Sequence, residues 1–181
     1  RLWSDVLTHL PDGDYACPDL PGFGRERPDG FSAAMDAYAD WLAAELDEAC
    51  ARAGGPVHLV GHDWGGLLVQ RVAGLHPGKV KSWTAGGVAI DEDYVWHDLA
   101  QVWQTPGEGG ALMAAMDQAA FAAALEDARV PADKAQEAAA FGDETMKAAI
   151  LALYRSATSI GTDWAGALPG LSRTPGLVVW G

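Results

Sequence analysis

The chain has 181 residues, 49% of them hydrophobic, and 12 Lys and Arg against 25 Asp and Glu give it a formal net charge of −13. This length and composition are enough for one core of ordinary size, and the negative charge argues against nucleic acid or an anionic membrane as a partner. No apolar run approaches the roughly 20 residues that cross a bilayer, and no signal-peptide pattern opens the chain. The composition therefore predicts a cytoplasmic protein.

The cysteines and histidines predict neither a disulfide nor a metal site. Cys17 and Cys50 lack metal-ligand spacing, and we interpret both as small buried apolar residues. The histidines considered as ligands share no ligand motif: His58, His62, His76 and His97. For His58, which lies in a predicted strand, we favour a packed or hydrogen-bonded side chain. We therefore expect no metal ion and no organic cofactor.

The first half of the chain alternates between predicted helices and strands. An amphipathic helix over Leu2–Leu10 stops at a turn cluster, and Tyr15–Cys17 is a short predicted strand. Ser32 is the predicted N-cap of a long helix that ends near Gly54. The next predicted elements are strand Val57–Val60, helix Leu67–Leu75 and strand Val80–Val88. Strands that are apolar throughout, separated by helices, indicate a parallel sheet covered on both faces.

The residues after Ile90 change in character, being rich in Ala, Met, Trp and acidic residues and lacking a convincing strand. The predicted helices are Asp93–Trp103, Gly110–Ala115, Asp117–Ala128, Ala132–Phe141 and Asp143–Ala157. A buried-strand pattern over residues 175–181 follows. We therefore predict part of an α/β core over residues 1–90, a helical cap over 91–172, and a return to the core over 173–181.

The run Gly61-His62-Asp63-Trp64-Gly65-Gly66 joins a predicted strand to a predicted helix. Such a run is typical of a nucleophile elbow, in which small residues make room for a sharp turn and hold the central residue exposed. We expect Gly61 and Gly65 to provide that room. The central residue here is Asp63, and an Asp carboxyl with an unperturbed pKa of roughly 3.9 needs no base before it attacks. Such a group suits displacement at a saturated carbon, either of a halide or in an epoxide, through an alkyl-enzyme ester.

With these residues the chain resembles the α/β-hydrolase superfamily, specifically its Asp-nucleophile branch of epoxide hydrolases and haloalkane dehalogenases. The loop Asp19–Arg25 is similar to the family loop after the fourth strand, Gly61–Gly66 is similar to its elbow, and the helical insertion lies where the family carries its cap. The resemblance implies an α/β-hydrolase fold, in which a mostly parallel sheet is covered by helices, with an inserted helical cap.

The resemblance also implies functional parts that these 181 residues do not contain. The family carries a His-Gly-x-Pro loop upstream of a helix like Leu2–Leu10, an acid after the strand matching Leu177–Trp180, and a base histidine further on. Because the chain opens on Arg1 and its last strand pattern stops at Gly181, we expect an internal part of a longer protein. The catalytic acid and histidine would then lie outside it.

The resemblance assigns roles at the elbow and in the cap. Asp63 would be the nucleophile; a mere helix-capping Asp would not explain the flanking glycines. Trp64 would stabilise an oxyanion through its backbone N–H or the leaving group through its indole, unless it only fills the core. The segment Ala152–Ser156 is similar to the x-x-Tyr-Arg segment of epoxide hydrolases. Tyr154 would therefore donate to the opening epoxide, with an inward-packed ring as the alternative.

Further candidates for the substrate pocket are aromatic. Tyr94 is a second candidate tyrosine. Trp96 and Trp103 are seven residues apart, which predicts one helix face, and either would donate an indole N–H to a halide or form an apolar wall. Strand alternation turns His62 away from the nucleophile, so it is not assigned as the base. Asp19 is interpreted as a residue that orders its loop.

The favoured prediction is a cofactor-independent epoxide hydrolase that gives a diol from a small apolar or amphipathic substrate. The first alternative is a haloalkane or haloacid dehalogenase, which shares the first step; Gly61 favours epoxides, because dehalogenases often carry a larger residue there. The second alternative is a non-catalytic α/β-hydrolase-like protein that binds a small apolar ligand. The sequence leaves a homodimer open.

Overall fold

The computed structural model describes residues 3–180 and divides them into two compact units. The helical unit comprises residues 3–33 and 101–155, and the sheet unit comprises residues 34–100 and 156–180. These boundaries do not coincide with the predicted ones at residues 90 and 172, so the division into core and cap stays a prediction. Residues 91–100 and 156–172 join the sheet unit because they pack on its elements. The Trp96 indole, for example, donates to the Ala157 carbonyl at 2.7 Å.

The sheet has three parallel strands in the order β1 (Val57–His62), β2 (Val80–Gly86) and β3 (Gly176–Val179). The register pairs His62 with Gly86 and Gly86 with Val179. The carboxyl ends of the strands therefore meet at one edge, where ligands bind in open α/β sheets. The predicted parallel sheet is confirmed. The predicted burial of the last strand is wrong for the described residues, since they leave Leu177 56% exposed.

The α-helices among residues 3–180 are numbered in chain order. They are α1 (Ser4–Leu7), α2 (Met35–Ala53), α3 (Trp64–Leu75), α4 (Asp98–Gln104), α5 (Glu108–Ala115), α6 (Gln118–Asp127), α7 (Ala132–Ala139), α8 (Glu144–Ser156), α9 (Ile160–Trp164) and α10 (Leu168–Leu171). Short 3₁₀ turns lie at Pro77–Lys79 and Ala165–Ala167. None of the helices in this range is long and apolar enough to cross a membrane.

Three predictions near the start of the chain are wrong. Helix α1 covers only part of Leu2–Leu10 and buries no residue, so little holds a longer helix together; Leu2 lies outside the described residues. The strand predicted at Tyr15–Cys17 does not form. Tyr15 instead donates its hydroxyl to the Pro11 carbonyl at 2.8 Å, a local turn contact. Cys17 is exposed, contrary to prediction, while Cys50 is half-buried; both are free thiols.

The N-cap of the long helix α2 is Ala34, two residues later than the predicted N-cap, Ser32. Ala33 has a left-handed φ of 57° that separates Ser32 from the helix. Ala34 occupies the N-cap position without a side-chain cap, and the Met35 N–H donates to the Ser156 hydroxyl at 2.8 Å. A residue distant in sequence therefore satisfies the helix start. The predicted end is confirmed, with Gly54 as the C-cap at φ 67°.

Helices occupy the segment that was predicted to be helical, with one important shift. The helix predicted over Asp93–Trp103 begins only at Asp98. His97 occupies the N-cap position of α4, where its Nδ1 accepts the Ala100 N–H at 3.2 Å. Trp96 therefore lies in the preceding loop, and the prediction that it shares a helix face with Trp103 is wrong. Helices α9 and α10 were not predicted, because helices of five and four residues are too short to show a helical period in the sequence.

Candidate active site

Asp63 is the single residue at which β1 turns into α3. Its backbone has φ 52° and ψ −126°, a strained conformation for a residue other than glycine. The Asp63 N–H donates to the Gly86 carbonyl at 3.0 Å, and the Asp63 carbonyl accepts the N–H groups of Gly66 at 2.8 Å and Leu67 at 3.1 Å. The residue thus ends the strand pairing and starts the helix. This is the strand–turn–helix context that a nucleophile elbow requires.

Two glycines make this turn possible, and one of them differs from the prediction. A Cβ at Gly61 would collide with the Gly65 carbonyl and lie 2.7 Å from the Gly66 nitrogen, so Gly61 is required as predicted. A Cβ at Gly65 would meet nothing within 4 Å. A Cβ at Gly66 would lie 2.7 Å from Val88 Cγ2. The need for a small residue therefore falls on Gly66, which faces the sheet unit's interior, rather than on Gly65.

The environment of Asp63 disfavours its charged form. Asp63 as a whole is exposed, yet the neighbouring protein desolvates its carboxyl, and this desolvation raises the pKa of Asp63. The charges that His62 and His97 carry when protonated, and a hydrogen bond with the Trp64 backbone, lower that pKa by less. The net direction is upward. The Asp63 carboxylate is thus poorly stabilised by its surroundings.

Three aromatic residues near Asp63 pack on one another within the sheet unit. The Trp96 ring lies 5.3 Å from the Trp64 ring and 5.1 Å from the Tyr94 ring between centroids, the latter edge-on at 82°. Trp64 and Trp96 are both 6% exposed. The Trp96 indole N–H already donates a hydrogen bond within the protein, to the Ala157 carbonyl. Of the two roles predicted for Trp96, an apolar wall therefore fits the structure better than a hydrogen-bond donor to a halide.

Tyr94 is half-buried, and the charge of Asp63 affects its pKa. Burial first, and then the negative charge of Asp63, raise the pKa of Tyr94. Its loop is held close to the start of α9, where a Cβ at Gly161 would lie 3.1 Å from the Tyr94 Cβ and 2.5 Å from the Asp91 carbonyl oxygen. The phenol therefore stays protonated near Asp63 and can donate a hydrogen bond.

Tyr154 and Trp103 lie together in the helical unit. Tyr154, on α8, is 6% exposed, and its ring centroid is 4.7 Å from that of Trp103 on α4, at 56°. The inward-packed ring that was considered for Tyr154 is thus observed. Such packing does not remove the phenol's ability to donate. The donor role of Tyr154 and the pocket role of Trp103 stay predictions.

The sequence reasoning missed two residues of the sheet unit. Gln70 is 2% exposed on α3; its amide donates to the Gly66 carbonyl at 3.1 Å, and its Oε1 accepts the Ile90 N–H at 3.2 Å. It therefore ties the first turn of α3 to the loop after β2. The available signal was an uncharged polar residue directly after the apolar run Leu67–Val69. His97 is the second missed residue. The one feature that could have indicated its role as a helix cap is its position directly before Asp98, the first residue of α4.

Two further histidines that the sequence analysis considered, His58 and His62, lie in β1. His58 Nδ1 lies 2.6 Å from the Ser82 hydroxyl, its partner in the β1–β2 register, which confirms a hydrogen-bonded role. His62 is exposed, and a Cβ at Gly87 would lie 3.4 Å from its Nε2. Within residues 3–180 no three His, Cys, Asp or Glu side chains group in a way that could hold a metal ion.

A family model described as the α/β hydrolase family matches residues 1–181. The chain belongs to this family. Over 80 residues, which are 44% of this chain and 29% of its relative, this α/β hydrolase is 39% identical to lipase LipV of Mycobacterium tuberculosis. The predicted fold class is confirmed, as a parallel sheet covered by helices.

Solved structures with this fold have low sequence identity to this α/β hydrolase. A candidate epoxide hydrolase from Pseudomonas aeruginosa has a TM-score of 0.68 at 23% identity, covering 90% of this chain and 61% of its own. The haloalkane dehalogenase DbeA from Bradyrhizobium elkani has a TM-score of 0.64 at 22% identity, covering 91% and 62%. These identities show the fold alone. The chain spans about three-fifths of the length of these structures.

Proposed function

We propose that this chain provides the nucleophile of a hydrolase that opens epoxides through a covalent ester on Asp63. The observation that carries the proposal is the Asp63 backbone, held at φ 52° between β1 and α3. A strained residue at the carboxyl edge of a parallel sheet is a common arrangement at functional sites. An Asp here supplies a nucleophile that is ionised before substrate arrives.

In the first step, one Asp63 carboxylate oxygen attacks an epoxide carbon. The new C–O bond forms the ester as the ring C–O bond breaks, and the electron pair stays on the departing oxygen. Desolvation of the carboxyl, which raises the pKa of Asp63, also leaves its negative charge poorly stabilised. The ground state of the nucleophile is therefore raised relative to an Asp in water, which favours attack.

In the second step, water attacks the ester carbonyl and releases the diol. The Trp64 backbone N–H, at the first position of α3, is the proposed donor to the resulting oxyanion. The positive end of the helix dipole points to the same place. The base that activates water is proposed to be a histidine outside these 181 residues.

The departing oxygen needs a donor, and two tyrosines are proposed for it. Tyr94 belongs to the same compact unit as Asp63, and its raised pKa keeps the phenol protonated. Tyr154 is the candidate that the x-x-Tyr-Arg segment predicts. A phenol strengthens its hydrogen bond as the oxygen becomes an alkoxide, which lowers the barrier to ring opening.

Two other reactions fit the site less well. A halide leaving group needs N–H donors, and the Trp96 indole, one predicted donor, is already bonded to Ala157. The similarity to a protein named as a lipase suggests ester cleavage. At an ester carbonyl, however, a carboxylate nucleophile would form an anhydride, a less stable acyl group than the ester it replaced. Opening of an epoxide avoids that problem.

The test is to trap the ester. The full-length protein is mixed with styrene oxide, quenched during the first turnover and digested, and the peptide containing Asp63 is weighed by mass spectrometry. We expect one added substrate mass on Asp63 and none in Asp63→Asn. An unmodified peptide during diol formation would overturn the covalent mechanism. Binding of styrene oxide without any turnover would favour the binding-protein alternative.

A further inference from the structure

Gln70 lies on α3 with its amide buried and hydrogen-bonded on both sides. The residue is 2% exposed. Its Nε2 donates to the Gly66 carbonyl at 3.1 Å, and its Oε1 accepts the Ile90 N–H at 3.2 Å. Because a carbonyl needs a donor and an N–H needs an acceptor, these two partners fix the orientation of the amide. An apolar side chain or a carboxylate at this position would lose at least one of the two bonds.

These two bonds close a circuit of hydrogen bonds that contains the backbone of Asp63. The Asp63 carbonyl accepts the N–H of Gly66 at 2.8 Å, and the Asp63 N–H donates to the Gly86 carbonyl at 3.0 Å. The chain then runs from Gly86 to Ile90, whose N–H returns to Gln70. Both backbone polar groups of Asp63 therefore belong to a circuit that the Gln70 side chain closes.

An apolar contact lies beside these hydrogen bonds. Val88, in the loop between Gly86 and Ile90, is 5% exposed. A Cβ at Gly66 would lie 2.7 Å from the Val88 Cγ2, so the loop packs directly on the first turn of α3. The loop and the elbow are therefore held together by packing as well as by the amide of Gln70.

Asp63 needs this support because its backbone is strained. Its φ of 52° and ψ of −126° are unfavourable for a residue with a Cβ. Such a conformation persists only where the surrounding structure over-determines it. The absence of a side chain at Gly61 removes a collision and so permits the turn, but it does not hold the turn in place. The circuit through Gln70 supplies hydrogen bonds that do.

We propose that Gln70 is a positioning residue that holds the strained Asp63 backbone, and with it the carboxylate, in the orientation that attacks the epoxide carbon. The proposal rests on the proposed function. Gln70 acts through the Gly66 carbonyl and the Ile90 N–H rather than on the substrate. A displacement of about 1 Å at an attacking group can slow the step by roughly 10²-fold. Loss of the Gln70 amide should therefore slow ester formation and change substrate binding little.

The test compares two substitutions of Gln70 in the full-length protein. Gln70→Met keeps a side chain of similar length and removes both hydrogen bonds. Gln70→Glu keeps the acceptor for the Ile90 N–H, but its carboxyl can donate to the Gly66 carbonyl only when protonated, and burial raises the pKa of such a carboxyl. Rapid quenching measures ester formation on Asp63 from styrene oxide over a range of pH. Each rate is divided by the wild-type rate at the same pH, so that the titration of Asp63 largely cancels.

Gln70→Met should slow ester formation by roughly 10²-fold at every pH. The styrene oxide concentration that gives half the maximal rate of ester formation should change little. Gln70→Glu should approach the wild-type rate at low pH and fall towards that of Gln70→Met as the pH rises. Val72→Ala is the matched control, because Val72 is 1% exposed on the same helix and its side chain is not part of the circuit. It should lower the midpoint of urea unfolding and leave ester formation close to wild type.

A second measurement does not depend on activity. Hydrogen exchange followed by NMR compares the N–H groups of Asp63 and Gly66, which belong to the circuit, with the Trp83 N–H, which donates to the Pro175 carbonyl at 3.0 Å between β2 and β3. In Gln70→Met, exchange at Asp63 and Gly66 should accelerate by a larger factor than exchange at Trp83, because the elbow opens locally while the sheet stays closed.

Several results would overturn the proposal. They are a wild-type rate of ester formation in Gln70→Met, an equal slowing in Val72→Ala, and a Gln70→Glu protein no faster than Gln70→Met at low pH. Exchange that accelerates equally at Asp63 and Trp83 would show that Gln70 supports only the fold as a whole. If wild type formed no ester with styrene oxide, the proposed function would fail and the kinetic role of Gln70 with it. Selective exchange at Asp63 in Gln70→Met would then still show that Gln70 holds the elbow.

Discussion

Replacing Gly61 by Ala should damage the protein far more than the same change at Gly65, four residues later. The added Cβ at Gly61 meets the Gly65 carbonyl and lies 2.7 Å from the Gly66 nitrogen, and these are backbone atoms of the elbow that cannot rotate away. Overpacking in a well-packed core costs about 1–3 kcal/mol. Because backbone must move here, we expect the upper end of that range or more.

At Gly65 the same Cβ meets nothing within 4 Å. Alanine within a helix is better than glycine by about 0.5–1 kcal/mol, and less at a first turn, so Gly65→Ala should be neutral or slightly stabilising. Urea unfolding of the full-length protein measures both variants, with the midpoint reporting stability while the slope stays constant. Equal destabilisation by the two variants, or a Gly61→Ala protein as stable as wild type, would refute the elbow geometry.

Three further predictions concern the site and its supports. The pKa of Asp63 is raised, and only the carboxylate attacks. As the pH is lowered, the rate of ester formation should therefore begin to fall at a higher pH than it would for an Asp with an ordinary pKa. Rapid quenching measures ester formation alone, a step in which the proposed base histidine takes no part. Tyr94→Phe and Tyr154→Phe should each slow styrene oxide opening by roughly 10²–10³-fold if that phenol is the main donor, whereas Trp103→Phe should raise KM more than it lowers kcat. Gln70→Leu leaves the Ile90 N–H buried without its partner and should cost about 1–3 kcal/mol in urea unfolding.

The sequence predicted the elbow because its signal is local. Apolar Val57–Val60, the central Asp63 and the flanking glycines fall within ten residues, and their spacing alone demands a sharp strand-to-helix turn. It could not tell Gly65 from Gly66. That distinction depends on which side of α3 faces Val88, a contact set by how the helix lies over the sheet unit.

The surroundings of Asp63 were harder to predict because they depend on contacts between distant residues. The seven-residue spacing of Trp96 and Trp103 is typical of a helix. However, His97 caps α4, so the helix begins after Trp96. The Trp96 indole instead donates a hydrogen bond to the Ala157 carbonyl. The start of α2 depends on Ser156 in the same way. Periodicity shows which residues are apolar, and it does not show which distant group completes a helix end.

The most direct test of the account asks where water's oxygen goes. The full-length protein performs a single turnover of styrene oxide in heavy-oxygen water, and mass spectrometry locates the label. If water attacks the ester carbonyl, the heavy oxygen enters the Asp63 carboxylate and the diol formed in that turnover carries none. Label in the diol and none in Asp63 would mean that water attacks the substrate directly, and Asp63 would not be the nucleophile.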